Sequence, residues 1–277
     1  MRTALTIAGS DSGGGAGIQA DLKTFFSYGV YGMSVITAVT AQNSTGVFAI
    51  SEVEPSVITA QCQAVFEDFP VHAVKIGMLS SKESVKAVGD ALRRIKHPSL
   101  VLDPVMVAKS GASLLKRDAV SLMTEELFPL ALLVTPNIPE AESLTGLSVT
   151  DKESMKEAAR RLSDLGPRNV LVKGGHLNGS SECTDLLYDG TEFHFLSAPR
   201  FSTRHTHGTG CTLSSAVAAG LALGFSLFEA VKTAKHYITE AIGQAPGLGR
   251  GAGPVNHFVS PFDVGGSDRK KGKDCER

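Results

Sequence analysis

The chain has 277 residues, of which 42% are hydrophobic and 20% are charged, and its formal net charge at pH 7 is −1. This is the composition of a globular protein, which excludes a disordered or fibrous chain. A near-neutral charge without a basic stripe argues against a nucleic-acid partner, and the apolar runs are too short for a membrane span. The length allows one large α/β domain or at most two modest ones.

The N-terminal segment and the cysteines predict a cytoplasmic location. Met1–Gly9 contains a short apolar run that ends in a Gly/Ser loop, which is typical of a buried first strand and not of a signal peptide. The cysteines have wide, irregular spacings without a Cys-x-x-Cys pair: Cys62, Cys183, Cys211 and Cys275. Because a chain of this size does not need a disulfide scaffold, we expect reduced thiols.

Short, nearly continuous apolar runs alternate with amphipathic stretches along most of the chain. The apolar runs are typical of parallel strands that are covered on both faces. They predict strands at Thr3–Ala8, Ser34–Ala41, Ala73–Gly77, Leu100–Asp103, Leu132–Thr135 and Val170–Lys173. The stretches between them predict helices at Gly17–Tyr28, Ser56–Glu67, Lys82–Lys96, Arg117–Glu126 and Lys152–Leu165. This alternation favours right-handed crossovers and a doubly wound sheet.

The last third of the chain predicts a hairpin followed by two helices. Thr184–Tyr188 and Glu192–Leu196 flank an Asp-Gly pair, which is a strong turn signal. The helices are predicted at Thr209–Leu223 and Leu227–Gln244. Since no linker divides the chain, we expect a single domain over residues 1–262 and a flexible polar tail over residues 263–277.

Glycines and polar residues follow nearly every predicted parallel strand. In open α/β sheets the ligand lies beyond the carboxyl ends of the strands, so these residues should meet at one edge. They are Gly9–Gly17, Gln42-Asn43, Gly77-Met78, Asp103-Pro104, Thr135–Asn137 and Lys173–His176. The sequence therefore predicts a ligand site at this edge of the sheet.

Two glycine-rich segments favour binding of a phosphorylated ligand. Gly9–Gly17 lacks the spacing of a dinucleotide fingerprint and the Lys-Ser/Thr of a P-loop. It is either a flexible turn or a loop that lets the backbone approach a ligand closely, and we favour the second. Thr206–Thr212 leads with small residues into a helix rich in Ala, Ser and Gly. Unobstructed N–H groups at a helix start form an anion hole that can stabilise a transferring phosphoryl group.

Four side chains at the predicted edge suit phosphoryl chemistry. Cys211 lies at the helix start, where the dipole and nearby N–H groups favour a thiolate, although a cysteine is often only a small hydrophobe. Asp103 and Glu140 suit Mg²⁺, often through water, although Glu140 also fits an ordinary first-turn helix acid. Lys173 could neutralise a phosphate, or it could be solvated on the rim of the sheet.

Several of these segments resemble one family. They are Ala8–Asp21 (AGSDSGGGAGIQAD), Asp103–Met106 (DPVM), Thr135–Glu140 (TPNIPE), Lys173–His176 (KGGH) and His207–Cys211 (HGTGC). In order and spacing they are similar to the hydroxymethylpyrimidine and phosphomethylpyrimidine kinases, over about residues 2–258. The resemblance implies a ribokinase-like fold: a three-layer sandwich with a mostly parallel sheet between helices. It also implies a homodimer.

The resemblance further implies ATP, Mg²⁺ and two successive phosphoryl transfers in one site of thiamine biosynthesis. Gln42 would read the aminopyrimidine edge, because an amide donates and accepts at once. The remaining roles fall into three groups. Gly9, Ala16, Asp21, Met78 and Val105 would line the substrate pocket. Gly208, Thr209, Gly210 and Cys211 would form the anion hole, with Lys173 and Asn137 on the phosphates. Asp103 and Glu140 would organise the metal.

The sequence leaves the general base and two other functions open. Many members of the wider ribokinase superfamily carry an aspartate base where Cys211 stands, and a thiol is a weaker base unless its pKa is depressed. Pyridoxal kinase is the nearest alternative, but Gln42–Val47 (QNSTGV) is similar to the pyrimidine type. A sensing module that binds without catalysis is a third reading, against which Asp103, Glu140, Lys173 and Cys211 argue.

Overall fold

A computed structural model describes residues 1–95, 99–106, 117–175 and 181–262. The strands are β1 (Thr3–Asp11), β2 (Tyr31–Asn43), β3 (Gly46–Glu52), β4 (Ala73–Ile76), β5 (Leu100–Leu102), β6 (Leu133–Val134), β7 (Val170–Val172), β8 (Glu182–Tyr188) and β9 (Phe193–Pro199). The helices are α1 (Gly17–Ser27), α2 (Pro55–Asp68), α3 (Lys82–Arg93), α4 (Arg117–Glu126), α5 (Ile138–Thr145), α6 (Lys152–Ser163), α7 (Thr209–Leu223) and α8 (Leu227–Gly243).

In the described parts of the chain, one sheet runs in the order β3-β2-β1-β4-β5-β6-β7-β8-β9. The central six strands, from β2 to β7, pair in parallel. Antiparallel strands extend both edges, with β3 on β2 and the β8–β9 hairpin on β7. Parallel strands bring all their carboxyl ends to one edge, as the sequence predicts.

Successive residues of a strand point to opposite faces of the sheet. Both faces carry buried apolar side chains, and helices cover both. In β1, Leu5 and Ile7 pack with residues of α2 to α6, whereas Ala4 packs with residues of α1, α7 and α8. Phe25 and Tyr237, among the largest fully buried side chains, lie in the layer formed by α1, α7 and α8. The predicted ribokinase-like, three-layer sandwich with a mostly parallel sheet is thereby confirmed.

The structure differs from the predicted elements at the surface and in short elements. β2 is longer than predicted, and β3 was not predicted, because its side chains from Phe48 onward are exposed and carry no pattern of a buried strand. α5 is an eight-residue helix begun by a capping box between Asn137 and Glu140. The predicted helix end at Lys96, His176 of the predicted rim and the predicted tail over residues 263–277 lie outside the described residues.

No helix in the described part of the chain is both long enough and apolar enough to cross a membrane.

Candidate active site

An open cavity of about 880 Å³ lies beyond the carboxyl ends of the parallel strands, large enough for small-molecule ligands. Nearly all the predicted site residues line it: Gly9, Ala16, Gln42, Met78, Asp103, Val105, Asn137, Glu140, Lys173, Gly208, Thr209, Gly210 and Cys211. Asp21 is the exception. It is fully buried and does not line the cavity, so the expectation that it lines the substrate pocket is corrected.

Asp11 at the end of β1 organises the first glycine loop. One carboxylate oxygen accepts the N–H of Gly13 at 2.8 Å, and the other accepts those of Gly15 at 3.0 Å and Ala16 at 2.8 Å. His207 Nε2 lies 2.9 Å from the second oxygen. Burial would raise the pKa of Asp11, but the hydrogen bonds from His207 and the backbone lower it, so the carboxylate is ionised.

The second glycine segment packs directly against the first. Gly208 is the N-cap of α7 with φ +79°, and a Cβ there would overlap the carbonyl oxygen of Gly15. Glycine is therefore required both by the backbone conformation and by the close approach. Beside it, a Cβ on Gly210 would lie 3.2 Å from Lys173 Nζ, so the bare start of α7 opens onto that ammonium group. The local structure is that of an anion-binding helix start.

Lys173 and two carboxylates meet at this end of the cavity. Lys173 Nζ donates to Asp103 Oδ1 at 2.6 Å, and Thr135 donates to the same oxygen at 3.0 Å. Burial would lower the pKa of Lys173, but Asp103 and Glu140 raise it, so the ammonium stays charged. Burial raises the pKa of Glu140 to about 7, and Asp103 adds to this while Lys173 opposes it. Two acids and one ammonium group thus lie close together here.

Cys211 lies close enough to a buried ion pair, Lys75–Asp21, for both charges to act on its thiol. Lys75 Nζ donates to both oxygens of Asp21, at 2.9 and 2.8 Å, and Ser215 and Thr6 each donate to Asp21 at 2.6 Å. Asp21 therefore joins β1, β4, α1 and α7 beneath the cavity floor.

The expected thiolate at Cys211 is not supported. Burial raises the pKa of Cys211 to about 11, Lys75 opposes this, and the carboxylates of Asp21 and Asp103 add to it. The start of α7 would lower the pKa of this thiol, but the loss of solvent around the thiol and the two nearby acids raise it by more. The resting side chain is a neutral thiol.

Gln42 and apolar side chains line another part of the cavity. The β2–β3 pairing shifts register between Ala41 and Gln42, and a bulge of this kind re-aims a side chain. Met78 packs over β1, where a Cβ on Gly9 would lie 3.0 Å from its methyl carbon. This part of the cavity therefore combines apolar side chains with the Gln42 amide, while the phosphate end carries Lys173 and two acids.

Comparison with known proteins assigns the family. Residues 11–256 match the family described as phosphomethylpyrimidine kinase. The chain belongs to this family. The chain is 55% identical to the hydroxymethylpyrimidine/phosphomethylpyrimidine kinase of Haemophilus influenzae, covering 94% of this chain and 97% of that protein.

Two further likenesses bear on the phosphomethylpyrimidine kinase family. A bifunctional thiamine biosynthesis protein of Geobacter sulfurreducens is 57% identical over 94% of this chain, and the chain spans only 53% of its length. The pyridoxal kinase of Staphylococcus aureus, solved with AMP-PCP and pyridoxal, superposes with a TM-score of 0.87 at 36% identity, covering 95% of this chain and 96% of that one. The chain is therefore a phosphotransferase of this family, and its fold is similar to that of a pyridoxal kinase.

Sequence reasoning missed several polar residues of the site. Lys75 lies within a predicted strand, and Asp11 lies where β1 extends beyond its predicted end. A charged residue within or directly after an apolar strand was the sequence signal that could have identified both. Asp185 was hidden similarly in the predicted hairpin, where it accepts from Lys235 at 2.7 Å and from the Gly174 N–H at 2.9 Å. Both residues of that pair line the cavity beside Lys173. Buried charges rarely occur unpaired, so each pointed to a partner.

Proposed function

We propose that this chain transfers the γ-phosphoryl group of ATP to hydroxymethylpyrimidine and then, in the same cavity, to its monophosphate, giving the pyrophosphate for thiamine biosynthesis. The observation that carries this proposal is one cavity that combines an anion-binding helix start with an amide and apolar side chains. Family membership supports the reaction, and the AMP-PCP complex of the similar pyridoxal kinase supports ATP as the donor.

Phosphoryl transfer needs positioning and stabilisation of negative charge more than covalent chemistry. The N–H groups of Gly208, Thr209, Gly210 and Cys211 are the proposed donors to the phosphoryl oxygens. Lys173, held charged beside Asp103, would neutralise the phosphates as a point charge. Asn137 lines the same end, although its side chain also caps α5 by accepting the Glu140 N–H at 2.9 Å.

The residues at the phosphate end fit Mg²⁺. Asp103 and Glu140 both line the cavity, and the raised pKa of Glu140 to about 7 reflects burial together with the neighbouring charge of Asp103. No group of three or more His, Cys, Asp or Glu side chains suited to a metal occurs among the described residues. Mg²⁺ does not need one, since it keeps several waters and binds one or two carboxylates together with substrate phosphates. Bound there, it would supply charge neutralisation of the phosphates.

Gln42 is the proposed reader of the pyrimidine edge, in a slot lined by Gly9, Ala16, Met78 and Val105. Gln42→Met keeps the length of the side chain and removes the paired hydrogen bonds. We expect a lower kcat/KM for hydroxymethylpyrimidine, which corresponds to a loss of about 1–3 kcal/mol in transition-state binding. The change for pyridoxal should be smaller. An unchanged ratio of the two kcat/KM values in Gln42→Met would exclude Gln42 as the reader.

Pyridoxal phosphorylation is a second candidate, favoured by the TM-score of 0.87 to a pyridoxal kinase that was solved with its substrate. The thiolate of Cys211 could also add to an aldehyde, although burial keeps most of this thiol protonated. Product analysis decides between the two: hydroxymethylpyrimidine, its monophosphate and pyridoxal are each offered with Mg-ATP. We expect monophosphate and pyrophosphate from the pyrimidines, at higher kcat/KM than pyridoxal phosphate. A protein that phosphorylates only pyridoxal would contradict the proposed function.

The wider setting of the enzyme is also proposed. We expect a single domain over residues 1–262, a cytoplasmic location, and a homodimer that covers the β2–β3 edge of the sheet. Phe48 is 69% exposed there, and Val39 and Ile50 of the same hairpin are exposed as well. An uncovered apolar edge strand promotes association, so a second copy is the expected cover. Sedimentation velocity of the wild type and of Phe48→Lys tests this, since the variant should shift to monomer.

A further inference from the structure

Three polar groups meet where the glycine loop, β2 and the segment before α7 come together. His207 Nε2 lies 2.9 Å from Asp11 Oδ2 and 3.2 Å from the side-chain nitrogen of Gln42. The other end of the Gln42 amide lies 3.2 Å from Thr40 Oγ1. In each of these contacts one group must donate the hydrogen and the other must accept it.

The proton of the His207 ring belongs on Nε2. Asp11 is an ionised carboxylate, since three backbone N–H groups and His207 hold its pKa below the usual range. A carboxylate can only accept, so the ring nitrogen that faces it at 2.9 Å must donate. The ring also packs closely against Gly15, where an added Cβ would overlap Cδ2 of the ring, and this contact holds the ring beside the loop.

The Gln42 amide must then face His207 with its oxygen. A protonated Nε2 cannot accept a hydrogen bond from an amide NH₂ group. Thr40 gives the same answer, because its hydroxyl hydrogen goes to the Ser10 carbonyl at 2.9 Å and leaves only lone pairs for Gln42. The oxygen and nitrogen of an amide have nearly the same shape, so neighbours decide its orientation. Turning the amide over places its N–H toward the lone pairs of Thr40 and its oxygen toward the Nε2–H of His207, whose single hydrogen Asp11 and Gln42 then share.

We propose that the Asp11–His207 pair fixes the orientation of the Gln42 amide and thereby turns the hydroxymethyl group of the substrate toward Gly208–Cys211. The inference rests on the proposed function and on Gln42 as the reader. With its oxygen on the His207 side, the amide offers the ligand an acceptor there and an N–H on the Thr40 side. An aminopyrimidine complements this with its amino group and its ring nitrogen, so the amino group lies on the His207 side.

The position of the amino group decides where the reacting group goes. The amino and hydroxymethyl groups of hydroxymethylpyrimidine are on adjacent ring carbons, so the hydroxymethyl group also lies on the His207 side. His207 directly precedes Gly208, the first residue of the anion hole. The opposite amide orientation would reverse the ring and point the hydroxymethyl group away from the phosphates. His207 is therefore a positioning residue that determines specificity, acting through Gln42.

Pyridoxal does not depend on this order of donor and acceptor. Next to its hydroxymethyl group pyridoxal carries an aldehyde in place of the amino group, followed by a phenolic oxygen in place of the ring nitrogen, so it lacks the amino donor and ring-nitrogen acceptor that the ordered amide matches. Loss of the His207 N–H should consequently penalise the pyrimidine more than pyridoxal. This difference separates positioning from general damage to the loop.

The test compares His207→Phe, which keeps a flat ring on Gly15 without an N–H, with His207→Gln, which keeps a donor at similar reach. We expect kcat/KM for hydroxymethylpyrimidine to fall about threefold to tenfold in His207→Phe, with a smaller change for pyridoxal and an unchanged KM for ATP. His207→Gln should restore most of the loss. In a Gln42→Met background, His207→Phe should change the substrate ratio no further.

Four outcomes separate the inference from its alternatives. An equal loss for both substrates, or an undiminished effect in the Gln42→Met background, would overturn it and make His207 a support of the loop. If His207→Phe does not fold, Thr40→Val removes the other orienting partner and should lower the same substrate ratio; an unchanged ratio there overturns the inference as well. A wild-type enzyme that does not phosphorylate hydroxymethylpyrimidine at all would instead refute the proposed function.

Discussion

Cys211 is the residue whose chemistry changes most between sequence and structure. It lies at the start of α7, but burial raises the pKa of its thiol to about 11. A base of this pKa is almost entirely protonated at pH 7, so it can act only through a small thiolate fraction. As long as the pH is below the pKa, the thiolate fraction rises about tenfold for each unit by which the pH increases, and so does any rate that depends on it.

We therefore expect kcat to rise with pH between about 7 and 9 if Cys211 is the base, and Cys211→Ala to lower kcat by roughly 10²- to 10⁴-fold. Cys211→Asp should recover part of the rate, because a carboxylate ionises at lower pH than a thiol. Alkylation of wild-type Cys211 at pH 7 should be slower than that of an unperturbed thiol. Turnover of Cys211→Ala within a few-fold of wild type, with a flat pH profile, would leave the backbone N–H as the contribution of this residue.

The two ends of α7 offer a matched test of what its start contributes. Gly208 and Gly224 cap the helix with φ +79° and +94° respectively. A Cβ on Gly208 would overlap the Gly15 carbonyl, whereas nothing lies within 4 Å of a Cβ on Gly224. Alanine imposes the same left-handed strain at both positions, about 1–2 kcal/mol, so any difference reports the contact between the loop and the helix.

Gly224→Ala should lower the melting temperature by a few degrees and leave kcat unchanged. Gly208→Ala should destabilise further and also abolish most of the turnover, because the glycine loop and the anion hole can no longer pack together. Thermal melts and kcat, measured for both variants under one set of conditions, check this. Equal melting temperatures and normal turnover in Gly208→Ala would show that the close approach to Gly15 is not needed.

Elements that bury a continuous apolar run could be predicted from sequence, and elements defined by contacts with distant residues could not. The ends of the parallel strands converge on one cavity because the topology requires it, so Asp103 and Lys173 were found. Asp21 was misjudged because its partners Lys75 and Ser215 come from β4 and α7, far away in sequence. Cys211 was misjudged because the charges of Lys75, Asp21 and Asp103 near it come from equally distant elements. β3 was missed because its side chains from Phe48 onward are exposed, so that no buried pattern marks it.

At the scale of the whole molecule, the active site depends on the layer formed by α1, α7 and α8. α1 follows the first glycine loop, α7 begins at the anion hole, and the segment after α8 returns to both. His257 in that segment is buried and lies 3.0 Å from Thr212 of α7 through Nε2, while its carbonyl accepts from Ser27 of α1 and from Tyr237 of α8 at 3.3 Å. It joins the three helices.

Protonation of His257 should loosen this layer. Burial, assisted by Lys23, lowers the pKa of His257 from 6.5 to about 4. Because the folded-state pKa is depressed, the stability that the neutral imidazole contributes is present above pH 6.5 and is lost as the pH falls toward 4. With these values, the wild type should lose about 2 kcal/mol of unfolding free energy through this group between pH 7.5 and pH 5.

His257→Gln is the matched variant, because its amide can reach Thr212 but does not titrate in this range. Urea unfolding of the wild type and of His257→Gln at pH 7.5 and pH 5 gives the two losses, and every other titrating group is common to both proteins. We expect the wild type to lose about 2 kcal/mol more than the variant. Since the layer carries the glycine loop and the anion hole, the extra loss should bring an earlier fall in kcat on acidification. Equal losses in the two proteins would mean that His257 accepts a proton without cost, and that its burial is relieved by local opening of the segment after α8.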